Sequence, residues 1–402
     1  MIQKVSIKNY KSIAELDLEL GRINVLIGEN GCGKSNILEA IAMGCAAAAA
    51  KLDNEFLASR GIRVTEPKWM RAAFSADNMD KEIEIGFKLS QVAMPFLLQN
   101  DNQAYSTWYW CAPEPFRSVF KEHEKLLNEN VEKLLKTVSP EELKERLKEL
   151  SPELEKWASF HEKWAEETGE QKLWSFVIYS PENTALRLFE QEGQIVPLGI
   201  KGEGLFKFLK YLSSKDRLGA IKERLHCLGW FDDLAIPSNL LSNERHIQIR
   251  DRYLDETLAY FDQNCANEGF LFLLFYFCLF SSQETPNFFA IDNIDASLNP
   301  KLCSDLMTQL VEIAKQQEKQ AILTTHNPCI LDGLNLDDPE QRLFVVYRNN
   351  DGHTRVKRIL KPQPTPGQDP VPLSVAFIRG YIGGLPDELR KHNIAVEATP
   401  VE

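Results

Sequence analysis

The sequence lacks several features that would each point to a particular cellular environment. Its eight cysteines are scattered, and no two of them form a C-x-x-C pair, which argues against a zinc site and a disulfide framework. The first residues do not build the apolar core of a signal peptide. The longest apolar run, at 270–280, is too short to cross a bilayer. We therefore expect a cytoplasmic protein that does not enter the membrane.

Positive charge is also scarce. Lys and Arg number 46 against 58 Asp and Glu, so the net charge is −12 and no global excess attracts nucleic acid. The segment 201–224 is locally basic, and two interpretations of it stay open: a solvated helix face, which we favour, or a contact with nucleic acid. Its basic residues are Lys201, Lys207, Lys210, Lys215, Arg217, Lys222 and Arg224.

The stretch from Gly28 to Ser35 fits the phosphate-binding pattern G-x-x-x-x-G-K-[ST]. The apolar run 23–27 predicts a buried strand before it, and 36–41 predicts a helix after it. In that context backbone N–H groups point at a phosphate, Lys34 reaches the β- and γ-phosphates, and the Ser35 hydroxyl ligates Mg²⁺. We expect the loop to contact ATP through Asn30, Gly31, Cys32, Gly33, Lys34, Ser35 and Asn36.

Two later apolar runs end in residues that could complete such a site. Asp292 follows 288–291 and would lie at the carboxyl end of a parallel strand, where a second Mg²⁺ ligand is needed. His326 follows the strand predicted at 321–324. Its imidazole could donate to a γ-phosphate, or it could cap its own loop.

The composition divides the chain into a core interrupted by an insertion. Residues 1–114 and 172–402 have the strand and helix patterns of one α/β core. Between them, 115–171 is highly charged with apolar residues at helical spacing, which predicts a helical insertion that either covers the surface or docks a partner. The run 174–179 predicts a strand, and 270–280 fits a helix or a strand.

Several of these motifs occur in an order that resembles the ABC-type ATPases of the RecF/SMC branch. They are Asn9-Tyr10-Lys11-Ser12, the phosphate loop, Asp292 with Ser297-Leu298-Asn299-Pro300, and Thr325-His326-Asn327-Pro328. The chain is most similar to the compact ATPases of prokaryotic anti-phage systems, of the Septu and OLD types. The resemblance implies a P-loop NTPase fold of the α/β class, an ABC-ATPase-like two-lobed head with a mixed β-sheet.

The resemblance also implies roles for individual residues. Lys11 would approach the phosphates, Asp292 would be the Walker B aspartate, and His326 would be the switch histidine. Ser297 to Pro300 would form the D-loop. A signature-like segment, formed by Asn267, Glu268 and Gly269, would cap the ATP of a second protomer, although the family's serine is missing there.

The chain departs from the family directly after the Walker B aspartate. Asn293 stands where a glutamate usually polarises the attacking water, and Asp295 is the only nearby carboxylate that could act instead. We therefore expect a slow ATPase that works as a switch. It would assemble as a homodimer or a higher even oligomer and control a separate effector, a nuclease or another toxin. The alternative is a RecF-like ATPase that binds DNA directly.

Overall fold

The computed structural model describes residues 1–89, 92–103, 106–111, 171–189, 195, 197–238, 240–241, 244–258, 260–361 and 371–383. The predicted helical insertion at 115–171 lies outside these residues except for its last position. The statements below concern the described parts of the chain.

The described core contains both strands and helices. The strands are β1 (Ile2–Tyr10), β2 (Ile13–Glu19), β3 (Ile23–Ile27), β4 (Ile83–Leu89), β5 (Val92–Gln99), β6 (Tyr109–Cys111), β7 (Ile178–Tyr179), β8 (Phe231–Ala235), β9 (Gln248–Asp251), β10 (Phe288–Ile291), β11 (Gln320–Thr325), β12 (Gln341–Arg348) and β13 (Thr354–Ile359). The helices are α1 (Lys34–Ala48), α2 (Asn54–Ser59), α3 (Pro67–Met70), α4 (Gln171–Trp174), α5 (Asn183–Leu188), α6 (Leu205–Ser214), α7 (Gly219–Leu225), α8 (Glu268–Ser281), α9 (Pro300–Gln316) and α10 (Leu373–Ile378).

Two sheets organise these elements. An antiparallel sheet has the order β2-β1-β4-β5-β6, and a six-stranded mixed sheet has the order β13-β12-β3-β11-β10-β7. In the mixed sheet, β12, β3, β11, β10 and β7 are parallel, while β13 returns antiparallel to β12. A small β8-β9 ribbon stands apart. The mixed β-sheet that the resemblance implied is confirmed.

The parallel strands are buried on both faces, and their side chains alternate between two cores. On β3, Ile23, Val25 and Ile27 pack into one core with α8 and α9, whereas Leu26 packs into the other with α1 and the antiparallel sheet. This period of two follows from the pleat of a strand. Burial on both faces explains why these strands read as unbroken apolar runs.

The apolar run at 270–280 forms a helix. Every residue from Phe270 to Phe280 belongs to α8 and is buried in the protein core. The Asn267 side chain caps this helix by accepting a hydrogen bond from the Phe270 N–H at 2.8 Å. A helix that is apolar all round lies in the interior of a domain. No helix in the described ranges is both long and apolar enough to cross a membrane.

The strand predicted at 174–179 is wrong over most of its length. Trp174 ends a short helix, and only Ile178 and Tyr179 pair with β10. Phe176 and Val177 are buried without belonging to a strand. Here the apolar residues fill the core, and a buried residue does not have to pair with a neighbouring strand.

Gln320 joins the start of the chain to the mixed sheet. Its buried amide nitrogen donates to the carbonyl oxygens of Ile2 at 2.8 Å and Gly21 at 2.7 Å, and its amide oxygen accepts from the Ile2 N–H at 2.9 Å. The side chain thus satisfies three backbone groups away from water.

We expect Gln320→Ala to lower the free energy of unfolding by about 2–4 kcal/mol, because buried backbone groups then lose their partners. Urea denaturation followed by fluorescence measures the change. The matched control is Gln316→Ala on the exposed face of α9, which should stay within about 0.5 kcal/mol of the parent. Equal stability of the two variants would contradict the role of Gln320.

Candidate nucleotide-binding site

The phosphate loop lies between β3 and α1, as the motif predicts. Gly31 and Gly33 have φ values of 74° and 110°, in the region that favours glycine. A Cβ on Gly33 would lie 2.1 Å from Thr354 Oγ1, so the loop also needs glycine for space. Helix α1 begins directly at Lys34, which places the helix N-terminus under the loop.

Lys34 is folded over this loop. Its ammonium donates to the carbonyl oxygens of Gly28 at 2.8 Å and Glu29 at 2.9 Å, and it lies 3.8 Å from Cys32 Sγ. Burial lowers the pKa of Lys34. The charged end of this side chain therefore lies at the loop, where phosphate oxygens could replace the two carbonyls as its acceptors.

Asp292 reaches the loop from the carboxyl end of β10. Its Oδ2 accepts a hydrogen bond from Ser35 Oγ at 2.9 Å, and its Oδ1 accepts one from Thr324 Oγ1 at 2.5 Å. The structure thus brings together the two residues that the sequence singled out as Mg²⁺ ligands. In the described ranges, no group of three or more His, Cys, Asp and Glu side chains could hold a metal ion. A carboxylate and a hydroxyl are hard oxygen ligands that fit Mg²⁺ shared with phosphate and water.

Asn293 and Asp295 follow on the same loop but differ in their surroundings. Asn293 is exposed with a φ of 58°, and its N–H donates to Thr324 Oγ1 at 2.9 Å. Asp295 accepts hydrogen bonds from Thr325 Oγ1 at 2.6 Å and the His326 N–H at 3.4 Å. Asp295 therefore ties this loop to the end of β11.

His326 lies at the same edge of the sheet. Burial, followed by the positive charge of Lys34, lowers the pKa of its imidazole, while Asp295 and Asp292 act in the opposite direction. His326 therefore lies within electrostatic range of Lys34, Asp292 and Asp295. The lowered pKa favours the neutral imidazole, which carries a single N–H donor.

Lys11 turns toward a buried acid rather than toward the loop itself. Its ammonium donates to Glu39 Oε2, and Arg63 Nε donates to Glu39 Oε1 at 2.5 Å. Arg63 also donates to Asn36 Oδ1 at 3.2 Å and lies in electrostatic range of Asp292. Sequence reasoning missed Glu39 and Arg63. The available signal was an acid in the apolar helix α1, since a buried carboxylate needs a partner.

A chain of hydroxyl groups supports the loop from the other side. Thr354 Oγ1 donates to the Cys32 carbonyl at 2.8 Å and lies 2.7 Å from Ser12 Oγ. Asn36 Nδ2 donates to the same Ser12 oxygen at 2.7 Å. Thr354 lies on the last strand of the mixed sheet, and no local pattern in the sequence signals its contact with the loop.

The signature-like segment lies at the N-terminus of α8. A Cβ on Gly269 would lie 3.2 Å from the Ser297 carbonyl oxygen, so this segment neighbours the predicted D-loop. Asn267 is exposed, and Glu268 and Gly269 are partly exposed. Within the described ranges, no hydrogen bond joins Asn267, Glu268 or Gly269 to the phosphate loop of the same chain.

Comparisons of sequence agree with this site. A family model described as an AAA ATPase domain matches residues 1–167, which include the phosphate loop. A second AAA domain model, whose description names an AbiEii toxin of a type IV TA system, matches residues 268–332, which include Asp292 and His326. The uncharacterized protein MJECL10 of Methanocaldococcus jannaschii is 35% identical over 112 residues, 26% of this chain. The chain spans only half (50%) of that relative's length.

Comparisons of structure give the fold. The crystal structure of an SMC head bound to the C-winged helix domain of ScpA is similar with a TM-score of 0.52 at 15% identity, over 89% of this chain and 98% of that one. An SMC head domain with an extended coiled coil, bound to the C-terminal domain of ScpA from Pyrococcus furiosus, has a TM-score of 0.47 at 15% identity, over 90% and 96% of the two chains. The likeness to the first of these heads shows the fold, and the predicted ABC-ATPase-like fold is confirmed. The two family models match AAA ATPase domains over the stretches that carry the phosphate loop and Asp292.

Proposed function

We propose that the chain binds ATP with Mg²⁺ at this site and hydrolyses it slowly. The observation that carries the proposal is the 2.9 Å hydrogen bond between Ser35 Oγ and Asp292 Oδ2, beside the Lys34 ammonium. Ser35 and Asp292 would hold the metal ion, which when bound neutralises charge on the β- and γ-phosphates. Lys34 would orient the same phosphates through its N–H groups.

Slow turnover follows from the residues that face the γ-phosphate end of the site. The Asn293 amide can hold a water molecule by a hydrogen bond, but it cannot accept a proton from it. Asp295 already accepts from Thr325 and from the His326 N–H, so one of its oxygens has a structural role. The neutral His326 imidazole would donate one hydrogen bond to a phosphate oxygen. Positioning and electrostatics supply much of the catalysis of phosphoryl transfer, so hydrolysis persists without a strong base.

Assembly through ATP is the second part of the proposal. Asn267 to Gly269 open the 14-residue helix α8, whose N-terminus favours an anion. They have no hydrogen bond to the phosphate loop of their own chain in the described ranges. As the resemblance implies, this segment would cap the ATP of a second protomer, which gives a homodimer or a higher even oligomer held by bound ATP.

The third part is control of a separate effector in prokaryotic anti-phage defence. Support comes from the motif order, which resembles the Septu and OLD types, and from the family description that names a toxin. In such a system the long-lived ATP-bound assembly would hold the effector, a nuclease or another toxin, in one state.

Direct DNA binding is not favoured, because several basic residues of the segment 201–224 form ion pairs with acidic side chains. Lys201 pairs with Glu182 at 3.0 Å and Arg217 with Glu284 at 2.7 Å. Two further pairs are Lys222 with Asp233 and Arg224 with Glu312. These ion pairs with neighbouring acids lower the positive potential that the segment offers to a phosphate backbone.

Lys34→Ala should weaken the binding of Mg²⁺-ATP by about 100-fold or more, because charged hydrogen bonds to two phosphates are lost. Isothermal titration calorimetry measures the affinity, and circular dichroism checks the fold. Lys210→Ala, on the exposed side of α6, is the control and should bind ATP like the parent. Unchanged affinity in Lys34→Ala would rule out the assigned phosphate site.

Asn293→Glu should raise the rate of ATP hydrolysis by about 10²-fold or more, since it adds a general base. A φ of 58° makes glutamate less favourable there by about 1–2 kcal/mol, so the stability of the variant is measured as well. Single-turnover hydrolysis of labelled ATP gives the rate. Brisk hydrolysis by the parent that is lost in Asp295→Asn would instead identify Asp295 as the base.

ATP and Mg²⁺ should shift the protein from monomer to an even oligomer at micromolar concentration, by mass action on the assembled state. Light scattering coupled to size exclusion measures the mass. The Lys34→Ala variant should remain unshifted. A parent protein that stays monomeric with saturating ATP would refute assembly through the nucleotide.

A further inference from the structure

We propose that Phe74 and His353 form a stacking platform for the base of the bound nucleotide, an inference that rests on the proposed ATP site. Their ring centroids lie 4.3 Å apart with an angle of 59° between the ring planes. Phe74 is 42% exposed although it is a large apolar residue, and His353 is half-buried. The pair thus exposes aromatic surface to solvent.

The hairpin formed by β12 and β13 connects this pair to the phosphate loop. Thr354, the residue after His353, donates from its hydroxyl to the Cys32 carbonyl at 2.8 Å. The Thr354 N–H donates to the Ser12 carbonyl at 2.7 Å. His353 is therefore the sequence neighbour of a residue that directly contacts the phosphate loop.

The order of strands determines which end of a nucleotide faces the pair. Ser35, Asp292 and His326 mark the metal and γ-phosphate end, and the latter two follow β10 and β11 on one side of β3. The hairpin β12-β13 lies on the other side of β3. A nucleotide with its terminal phosphates toward β10 and β11 must extend its sugar and base away from them. His353 directly precedes β13 and lies on that side of β3, with the Phe74 ring against it.

Both rings are on segments that hydrogen bonds already hold in place. The side-chain oxygen of Asn349 accepts from the His353 N–H at 2.8 Å, and the His353 carbonyl accepts from the Asn349 N–H at 3.0 Å. The Asn9 side chain accepts from the Ala72 N–H at 3.1 Å, two residues before Phe74. A preorganised aromatic surface binds a ligand with less loss of conformational entropy.

The chemistry of the pair selects an aromatic base by its face. Stacking of a base on an aromatic side chain is favourable and tolerates any base, because every base has a π-face. The site would thus recognise a nucleoside triphosphate in two parts, the triphosphate at the loop and the base at the platform.

The experiment compares the affinities for Mg²⁺-ATP and for Mg²⁺ with inorganic tripolyphosphate, by calorimetry on the full chain. The parent should bind ATP about 10-fold or more tightly than tripolyphosphate, because only ATP carries a base. Phe74→Ala should weaken ATP binding by about 10-fold and leave tripolyphosphate unchanged. Phe74→Trp should retain the affinity for ATP.

The matched control is Trp69→Ala, since Trp69 is a 59% exposed aromatic residue on α3 whose ring lies 5.5 Å from the Lys68 ammonium. It should leave both affinities within about twofold. The platform is refuted if Phe74→Ala leaves ATP binding intact, if it weakens both ligands alike, or if Trp69→Ala has the same effect as Phe74→Ala. A parent that binds neither ligand would refute the ATP site itself, and one that binds both equally would refute only the platform.

Discussion

Burial of the parallel sheet on both faces is the constraint on which the rest of the structure depends. Every residue of β3, β10 and β11 is buried, and their side chains divide between the two cores. Such strands tolerate polar groups only where a partner is provided, because an unpaired polar group in the interior is costly. The reactive side chains therefore lie at the carboxyl ends of the strands, where the chain leaves the sheet.

At that edge, the geometry of the site depends on contacts between distant parts of the chain. The loop residue Gly33 lacks a Cβ, and this leaves room for Thr354 from β13. Glu39 is nearly fully buried, yet it is compensated by Lys11 and Arg63. A buried carboxylate with two cationic partners contributes to a defined arrangement of α1, the β1-β2 turn and the segment before α3, since removing Glu39 would leave two cations without their shared acceptor.

The strands and the loop that carry the candidate site were predictable from the sequence, because each has a local signature. Spacing alone identifies the glycines and Lys34 of the loop. Hydrophobicity identifies the strand that leads into Asp292 and the strand that ends before His326. The resemblance implied that Lys11 approaches the phosphates, and in the structure its ammonium pairs with Glu39. The strand predicted at 174–179 shortens to two residues because an apolar run reports burial and does not report pairing.

The sequence by itself therefore determined the phosphate loop with its flanking strand and helix and the apolar runs that form β10 and β11, and the resemblance in motif order implied the mixed α/β sheet. Only the tertiary structure decided that Ser35 bonds to Asp292, that Thr354 supports Cys32 and that Phe74 meets His353. The physical reason is the distance along the sequence over which each kind of interaction acts. Backbone geometry and periodicity act over a few residues, whereas these contacts join segments that meet only when two cores pack against the same sheet.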